Sequence, residues 1–136
     1  MSFDWVDYLH LAKELNQIKK EEERVECRKR SAVSRAYYAA FQVAFNLGFD
    51  FYDEFREEYE LEESNSGKHE FVSKWFEFHQ PRIGLELKNL RIWRNQCDYD
   101  NDVENLDKLV EDGLNKSNKI IEKIQDHKKI LETFTK

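Results

Sequence analysis

Residues that interrupt helices are scarce in this 136-residue chain, which contains four glycines and one proline. Between them run long segments rich in Glu, Lys, Leu and Ala, all of which favour helices. The alternating apolar and polar runs of half-buried strands are missing, as is any βαβ pattern. These absences argue against a sheet and predict an all-α protein.

Cysteine and histidine are also scarce. Cys27 and Cys97 lie far apart in the chain, and no signal peptide or apolar run of membrane-spanning length accompanies them. We therefore expect a cytoplasmic protein with two free thiols and no membrane association. The four histidines show neither HxxxH nor Cys/His spacing. We predict no metal site and no cofactor.

Acidic charge is concentrated in one segment. The net charge is −6, and residues 50–63 hold eight acidic side chains and a single arginine, so the rest of the chain is close to neutral. Such a segment would repel a phosphate backbone, and no broad basic surface replaces it. We interpret the acidic run as the solvated side of a short amphipathic helix over residues 51–62.

Large apolar side chains are plentiful: the chain has 10 Phe, 6 Tyr and 3 Trp, enough to build the core of one domain. Apolar residues recur at helical spacing. A first helix is predicted from Asp4, its N-cap, to about Lys20, and a second ends at Gly48 as a C′ residue. The second helix carries small alanines between tyrosines, which predicts that it is the spine of the bundle.

The second half of the chain continues the helical pattern. A loop is predicted over residues 63–67, and Gln80-Pro81 ends the helix that follows it. Asn101 and Glu104 have the spacing of a capping box and are predicted to start a long last helix. We predict a single domain, residues 1–136, that folds as an up-and-down bundle of four main helices plus a short helix.

A charged residue occupies the apolar row of the fourth main helix. The row consists of Ile83, Leu87, Leu90, Arg94 and Cys97. A buried arginine needs an acceptor, and Asp98 supplies the nearest carboxylate, one turn further on. A lone anion at a helix C-terminus is itself unfavourable. We therefore predict an Arg94–Asp98 ion pair, with Tyr99 packing beside it and donating its hydroxyl.

A second candidate region precedes the third main helix. Hydroxyls, free N–H groups and two basic side chains are predicted to converge there and could hold an anion. The residues concerned are Ser64, Ser66, Gly67, Lys68 and His69. Ordinary helix capping explains the same residues, and we favour it. Arg35, on the second helix, could reach toward Arg94 as a second phosphate contact or pair with a glutamate at the surface.

Three segments, in this order, resemble the HEPN family (higher eukaryotes and prokaryotes nucleotide-binding). They are residues 34–41 (SRAYYAAF), 67–69 (GKH) and 90–100 (LRIWRNQCDYD). The resemblance implies a bundle of four to five helices, commonly a homodimer whose two motifs face one cleft. It also implies a place in bacterial toxin–antitoxin or defence systems, beside nucleotidyltransferase-type partner proteins.

Active HEPN proteins are metal-independent ribonucleases that use an arginine followed, four to six residues later, by a histidine. No histidine stands at that distance from Arg94 or Arg91 in this chain. The chain more closely resembles the branch in which an Asp-Tyr pair follows the arginine. The residues we assign to binding are Arg35, Lys68, His69, Arg91 and Asn95.

Metal-independent RNA cleavage needs a base, an acid and a cation. Arg94 could supply the cation, but a neighbouring guanidinium makes Asp98 a poor base and Tyr99 is a weak acid at neutral pH. We therefore expect a homodimeric module that binds a partner protein or a nucleotide and carries a degenerate ribonuclease site. The alternative is an RNA endonuclease toxin in which Arg94, Asp98 and Tyr99 act together at a dimer cleft.

Overall fold

The computed structural model describes residues 3–17, 23–49, 57 and 65–134, and in the last range the side chains of 67–126. Its helices are α1 (Val6–Asn16), α2 (Val25–Gly48), α3 (Asn65–His79), α4 (Pro81–Tyr99) and α5 (Leu106–Phe134). These residues contain no strand, which confirms the prediction of an all-helical bundle. The predicted short helix over 51–62 and, apart from Glu57, the acidic segment 50–63 lie outside the described residues.

Helix α2 is the spine of the bundle, as predicted, because it packs against each of the other four described helices. Its inward row is fully buried and consists largely of alanine: Ala32, Val33, Ala36, Ala39, Ala40 and Ala44. Small side chains let neighbouring helices approach α2 closely. Ser117 of α5 uses this proximity, since its Oγ donates a hydrogen bond of 2.7 Å to the carbonyl oxygen of Ala36.

Helix α1 begins with the help of Asp4, whose Oδ1 accepts a hydrogen bond of 3.0 Å from the backbone N–H of Val6. The N-cap position itself is held by Trp5 and not by the predicted Asp4, which accepts this bond from one residue further out. The helix ends at Asn16. Its predicted extension to Lys20 falls on residues 18–20, which lie outside the described part of the chain.

Gly48 was predicted to end α2 as a C′ residue, and this prediction is wrong. Gly48 is helical and buried, and no described glycine has a positive φ. A Cβ at this position would lie 3.1 Å from Cζ of Phe71 in α3. The residue is small because an aromatic ring packs on it, and not because the backbone turns there.

Two other predicted boundaries also need correction. Helix α3 begins at Asn65, so residues 65–67 are helical where a loop was predicted. Helix α5 begins at Leu106 and not at the predicted capping box of Asn101 and Glu104. Asn105 precedes it with φ 52°, a left-handed conformation that asparagine tolerates better than most residues. That turn delays the start of the helix.

The break between α3 and α4 is where the sequence predicted it. Helix α3 ends at His79, and Pro81 opens α4 at the first helical position, where its missing N–H is not needed. Gly84 then lets the first turn of α4 lie against the end of α3. A Cβ on Gly84 would be 2.6 Å from the backbone nitrogen of Glu77 and 3.0 Å from the carbonyl carbon of Phe76.

Helix α5 is 29 residues long and packs along the bundle. Its buried residues lie on one stripe, which includes Val110, Ser117, Ile120, Ile121 and Ile124. Leu131 has the helical spacing to continue this stripe, but its side chain lies outside the described residues. Among the described helices, none is both long and apolar enough to cross a membrane.

We predict that Gly84→Ala destabilises the protein by about 2–3 kcal/mol, because the added methyl group meets backbone atoms that cannot move aside. Chemical denaturation of the purified variant measures this loss. Gly113→Ala is the matched control: its Cβ would meet only side chains, at 3.7 Å or more, and alanine favours the helix. Equal stability of both variants would contradict the close contact between α3 and α4.

Candidate functional site

Arg94 lies in the core of the bundle, as its position in the apolar row of α4 predicted. Its exposed fraction is 7%, and the other members of the row, Ile83, Leu87, Leu90 and Cys97, are also buried. A cation at such a position must be compensated by acceptors, π faces or counter-charges. The surroundings of the guanidinium therefore define the candidate site.

Two tyrosines of α2 make the closest contacts with this guanidinium. The Cζ atom of Arg94 lies 5.1 Å from the ring centroid of Tyr37 and 5.3 Å from that of Tyr38. Its Nη1 donates a hydrogen bond of 3.3 Å to the Tyr38 hydroxyl. Both ring faces are electron-rich and attract the cation. The Nε atom is buried and has no hydrogen-bond partner among the described residues.

The predicted Arg94–Asp98 pair is present, at a longer range than a hydrogen bond. Nη1 of Arg94 lies 3.6 Å from Oδ2 of Asp98, whose side chain is 28% exposed. The same Oδ2 accepts a hydrogen bond of 3.3 Å from Ser34 Oγ on α2. Asp98 thus compensates the buried charge from the rim of the site, while the tyrosines surround it. The sequence pattern placed tyrosines between the alanines of the second helix but did not reveal this role.

Tyr99 does not pack beside the pair, so that prediction is wrong. Its exposed fraction is 75%. Five residues along an α-helix rotate the side-chain direction by about 140°, so Arg94 and Tyr99 cannot share the buried face of α4. The three residues proposed for catalysis do not converge within one chain.

His69 brings α3 into the same buried cluster. Its ring stacks on Phe41 with centroids 4.1 Å apart, and its Nδ1 lies 2.5 Å from the hydroxyl of Tyr37. Burial, and after it the charges of Arg91 and Arg94, lower the pKa of His69 to about 4. Burial is also the main reason why the pKa of Tyr37 is raised. A neutral imidazole therefore accepts a hydrogen bond from a protonated phenol.

Lys68 and His69 do not form the anion site that the sequence left open. Lys68 is exposed and its Nζ lies 5.5 Å from the ring centroid of Phe45, whereas His69 points into the core. Ser64 and the side chain of Ser66 lie outside the described residues. Consecutive positions on a helix face different directions, so these two basic groups cannot converge on one ligand.

Among the described residues, Arg35 takes neither of the two roles proposed for it. Its guanidinium carbon lies 5.0 Å from the ring centroid of Tyr8 on α1. This cation–π contact joins α1 to α2 and leaves Arg35 outside the Arg94 cluster.

Arg91 and Asn95 line a surface groove of about 350 Å³ between α3 and α4, together with Ser73, Lys74 and Lys88. Glu70 and Glu77 line it as well, and Lys74 pairs with Glu70 at 3.0 Å. Nε of Arg91 is buried and has no hydrogen-bond partner among the described residues. This groove contains two of the five residues assigned to binding.

Arg30 is a structural residue that sequence reasoning missed. Its Nη1 donates to the carbonyl oxygens of Cys97 at 3.2 Å and Asp100 at 2.5 Å, and its Nη2 donates to that of Asn101 at 2.9 Å. A cation at the C-terminus of α4 satisfies carbonyls that the helix leaves free. Arg30 lies in the second turn of α2, and nothing in the sequence around it indicated this distant contact.

The two cysteines are free thiols. Cys27 is exposed and Cys97 is buried, and burial raises the pKa of Cys97 to about 11, which keeps that thiol protonated at neutral pH. Among the described residues, no three or more His, Cys, Asp or Glu side chains are grouped as metal ligands would be.

Comparison of the chain with protein-family models, with curated proteins and with solved structures found no match. The HEPN resemblance therefore rests on the residues of the chain itself and remains a prediction.

We predict that Asp98→Ala lowers the free energy of unfolding by about 1–2 kcal/mol, because Arg94 loses its nearest counter-charge while the rim position of Asp98 limits the effect. Thermal denaturation at neutral pH measures the change. Tyr99→Ala is the control, since the neighbouring ring is exposed and its removal should leave stability unchanged. If both variants melt like the parent protein, Asp98 has no part in compensating Arg94.

His69 predicts a pH dependence of stability. Its pKa is about 4 in the folded protein, below the ordinary histidine value of 6.5, so between these pH values the unfolded chain binds the extra proton. Stability should be complete above pH 6.5 and fall by roughly 1.4 kcal/mol per unit as pH drops toward 4. His69→Gln should flatten this part of the profile. His10→Gln, a change at an exposed histidine, should leave the profile unchanged. An equal effect of both substitutions would refute the assignment of this pH dependence to His69.

Proposed function

We propose that this protein is a HEPN-like, homodimeric helical module of a bacterial toxin–antitoxin or defence system. It acts in the cytoplasm by binding a nucleotide or a nucleotidyltransferase-type partner protein, and it carries a degenerate ribonuclease site. The free thiols support the compartment. The residues that support the family are the three segments with HEPN-like sequence, all of which contribute side chains to the cluster around Arg94.

The observation that carries the binding role is the separation of the catalytic candidates. Arg94 is enclosed by two tyrosine rings, while Tyr99 is 75% exposed on another side of the same helix. General acid–base catalysis needs its groups within hydrogen-bond reach of one substrate. A guanidinium with this burial serves better to hold α2 and α4 together than to stabilise a transition state.

The groove between α3 and α4 is the surface that suits a nucleotide. Arg91, Lys88 and Asn95 offer hydrogen-bond donors from one helix, and Nε of Arg91 is buried without a partner among the described residues. Guanidinium and ammonium groups bind phosphate through charge-assisted hydrogen bonds. Glu70 and Glu77 on the opposite wall would disfavour a long polyanion, which supports a single nucleotide over an RNA strand.

Calorimetric titration of the purified protein with ATP and with AMP tests this proposal. We expect Arg91→Ala to weaken nucleotide binding at least about tenfold, because the cation that faces the groove is lost. Lys108→Ala is the control, since Lys108 is an exposed lysine at the start of α5 that does not line the groove. Equal affinity of both variants, or no binding by the parent protein, would contradict a nucleotide site there.

A second candidate function is metal-independent endoribonuclease activity, and one observation favours it. His69 stands within electrostatic reach of Arg94 and is bonded to Tyr37, which itself contacts that guanidinium. An imidazole can serve as a general base, so α3 would provide the histidine that α4 lacks. The lowered pKa of His69, about 4, makes it a weak base at neutral pH, which is why this function stands second. This arrangement replaces Asp98 and Tyr99 in the chemistry.

Incubation of the purified protein with total RNA separates the two functions. The binding role predicts intact RNA. The ribonuclease role predicts cleavage that both Arg94→Ala and His69→Ala abolish, whereas Tyr99→Ala leaves it unchanged. Cleavage that survives Arg94→Ala would point to a contaminating nuclease and support neither function.

A further inference from the structure

A groove of about 450 Å³ runs between α4 and α5, on the flank of α4 opposite Arg91. The charged and aromatic side chains that line it are Arg82, Glu86 and Trp93 of α4 and Asp112, Lys116 and Lys119 of α5. Its volume falls within the range of sites that hold ligands. We refer to it as the α4–α5 groove.

Glu86 is a largely enclosed acid in this groove, with 15% of its side chain exposed. Its Oε1 lies 3.4 Å from Nζ of Lys123 and 3.6 Å from Nε of Arg82. Its Oε2 is buried without a hydrogen-bond partner among the described residues. Two cations thus share one carboxylate, whose capacity to accept hydrogen bonds the described residues use only in part. One positive charge remains in excess at this end of the groove.

Two lysines further along the groove, Lys116 and Lys119, form no ion pair with an acid among the described residues. Nζ of Lys116 lies 5.3 Å from the ring centroid of Trp93, so this ammonium group covers an aromatic face. Together with Lys123, the two lysines stand at steps of three and four residues. All three therefore lie on one face of α5.

The α4–α5 groove is positively charged although the chain as a whole is acidic. The groove and its margin carry two acidic side chains (Glu86 and Asp112) and four basic ones (Arg82, Lys116, Lys119 and Lys123), a local charge of +2 against a net charge of −6. Charge complementarity therefore favours an anionic partner at this surface.

From these contacts we infer that the α4–α5 groove binds an acidic peptide segment of a partner protein. Carboxylates of the segment pair with Lys116 and Lys119, and an apolar side chain between them packs near Trp93. Glu86 and Asp112 can accept hydrogen bonds from the backbone N–H groups of a peptide, whereas a phosphate backbone has no such donors. The same two carboxylates repel consecutive phosphates, so the groove favours a peptide over RNA.

The length of the groove sets the length of the segment. Trp93 contacts Lys116 and Glu86 contacts Lys123, so α4 and α5 run antiparallel along it. From Arg82 to Trp93 the groove extends for about 16 Å along α4. An extended chain covers this distance with about five residues. The expected ligand is therefore a stretch of about five residues with acids on both sides of an apolar side chain.

Fluorescence anisotropy with the labelled peptide Glu-Glu-Leu-Glu-Glu tests the binding, at low ionic strength because exposed ion pairs are screened by salt. The protein should bind this peptide at least about tenfold more tightly than the matched peptide Gln-Gln-Leu-Gln-Gln. Lys119→Glu should weaken binding at least about tenfold. Lys13→Glu, the same charge change on the exposed surface of α1, is the control and should bind like the parent protein. Equal affinity for the two peptides, or an equal effect of the two substitutions, would overturn the inference.

Intrinsic tryptophan emission locates the bound peptide. Unlabelled peptide should change the emission of the parent protein, and Trp93→Phe should abolish this change, because Trp5 and Trp75 do not line the groove. A change that persists in Trp93→Phe would place the peptide elsewhere and refute the inference.

Two further measurements separate the peptide from other ligands. Polyuridylate should compete poorly with the labelled peptide, and displacement at the same concentration of negative charge would assign the groove to nucleic acid instead. Arg91→Ala, which alters the proposed nucleotide groove on the opposite flank of α4, should bind the peptide like the parent protein. Loss of peptide binding in that variant would contradict the α4–α5 site, whereas loss of nucleotide binding alone would leave it intact.

Discussion

The packing at the centre of this bundle depends on how one buried guanidinium, that of Arg94, is compensated. Burying an arginine is unfavourable unless its charge and its hydrogen-bond donors are compensated. The charge of Arg94 is compensated by two aromatic faces, one hydroxyl and a carboxylate at the rim, while its Nε has no hydrogen-bond partner among the described residues. The surroundings must also avoid a second charge, and the low pKa of His69 shows that the neighbouring imidazole stays neutral. Three helices are therefore joined by one set of polar contacts inside an otherwise apolar core.

Periodicity predicted the parts of the fold that depend on burial. The row of α4, the alanine-rich side of α2 and the break at Pro81 follow from spacing and backbone chemistry alone. The wrong boundaries share a different cause. Gly48 looked like a terminator because a sequence cannot show that the ring of Phe71 packs against it. Asn101 looked like a cap because nothing local reveals that Asn105 turns left-handed first.

The candidate site, like the fold, could be predicted from the sequence only in part. The burial of Arg94 and its pairing with Asp98 could be read from positions on one helix. The contributions of Tyr38, His69 and Arg30 come from other helices, so their contacts depend on how the bundle packs and leave no trace in local spacing. The prediction for Tyr99 was wrong because a neighbour in the sequence was assumed to be a neighbour in space. The preference for binding over catalysis, which the sequence already favoured, rests on that separation as well as on the missing histidine.

The hydrogen bonds of Arg30 to the end of α4 link segments that are distant along the chain. Its three carbonyl partners lie in the last turn of α4 and just after it, so those backbone groups accept these hydrogen bonds only after the first turns of α2 have arrived. Closing so long a loop costs conformational entropy. This cost is offset only when the core between the two segments has assembled. The terminal turn of α4 should accordingly be protected from hydrogen exchange as part of the global unfolding unit, and not fray as helix ends usually do.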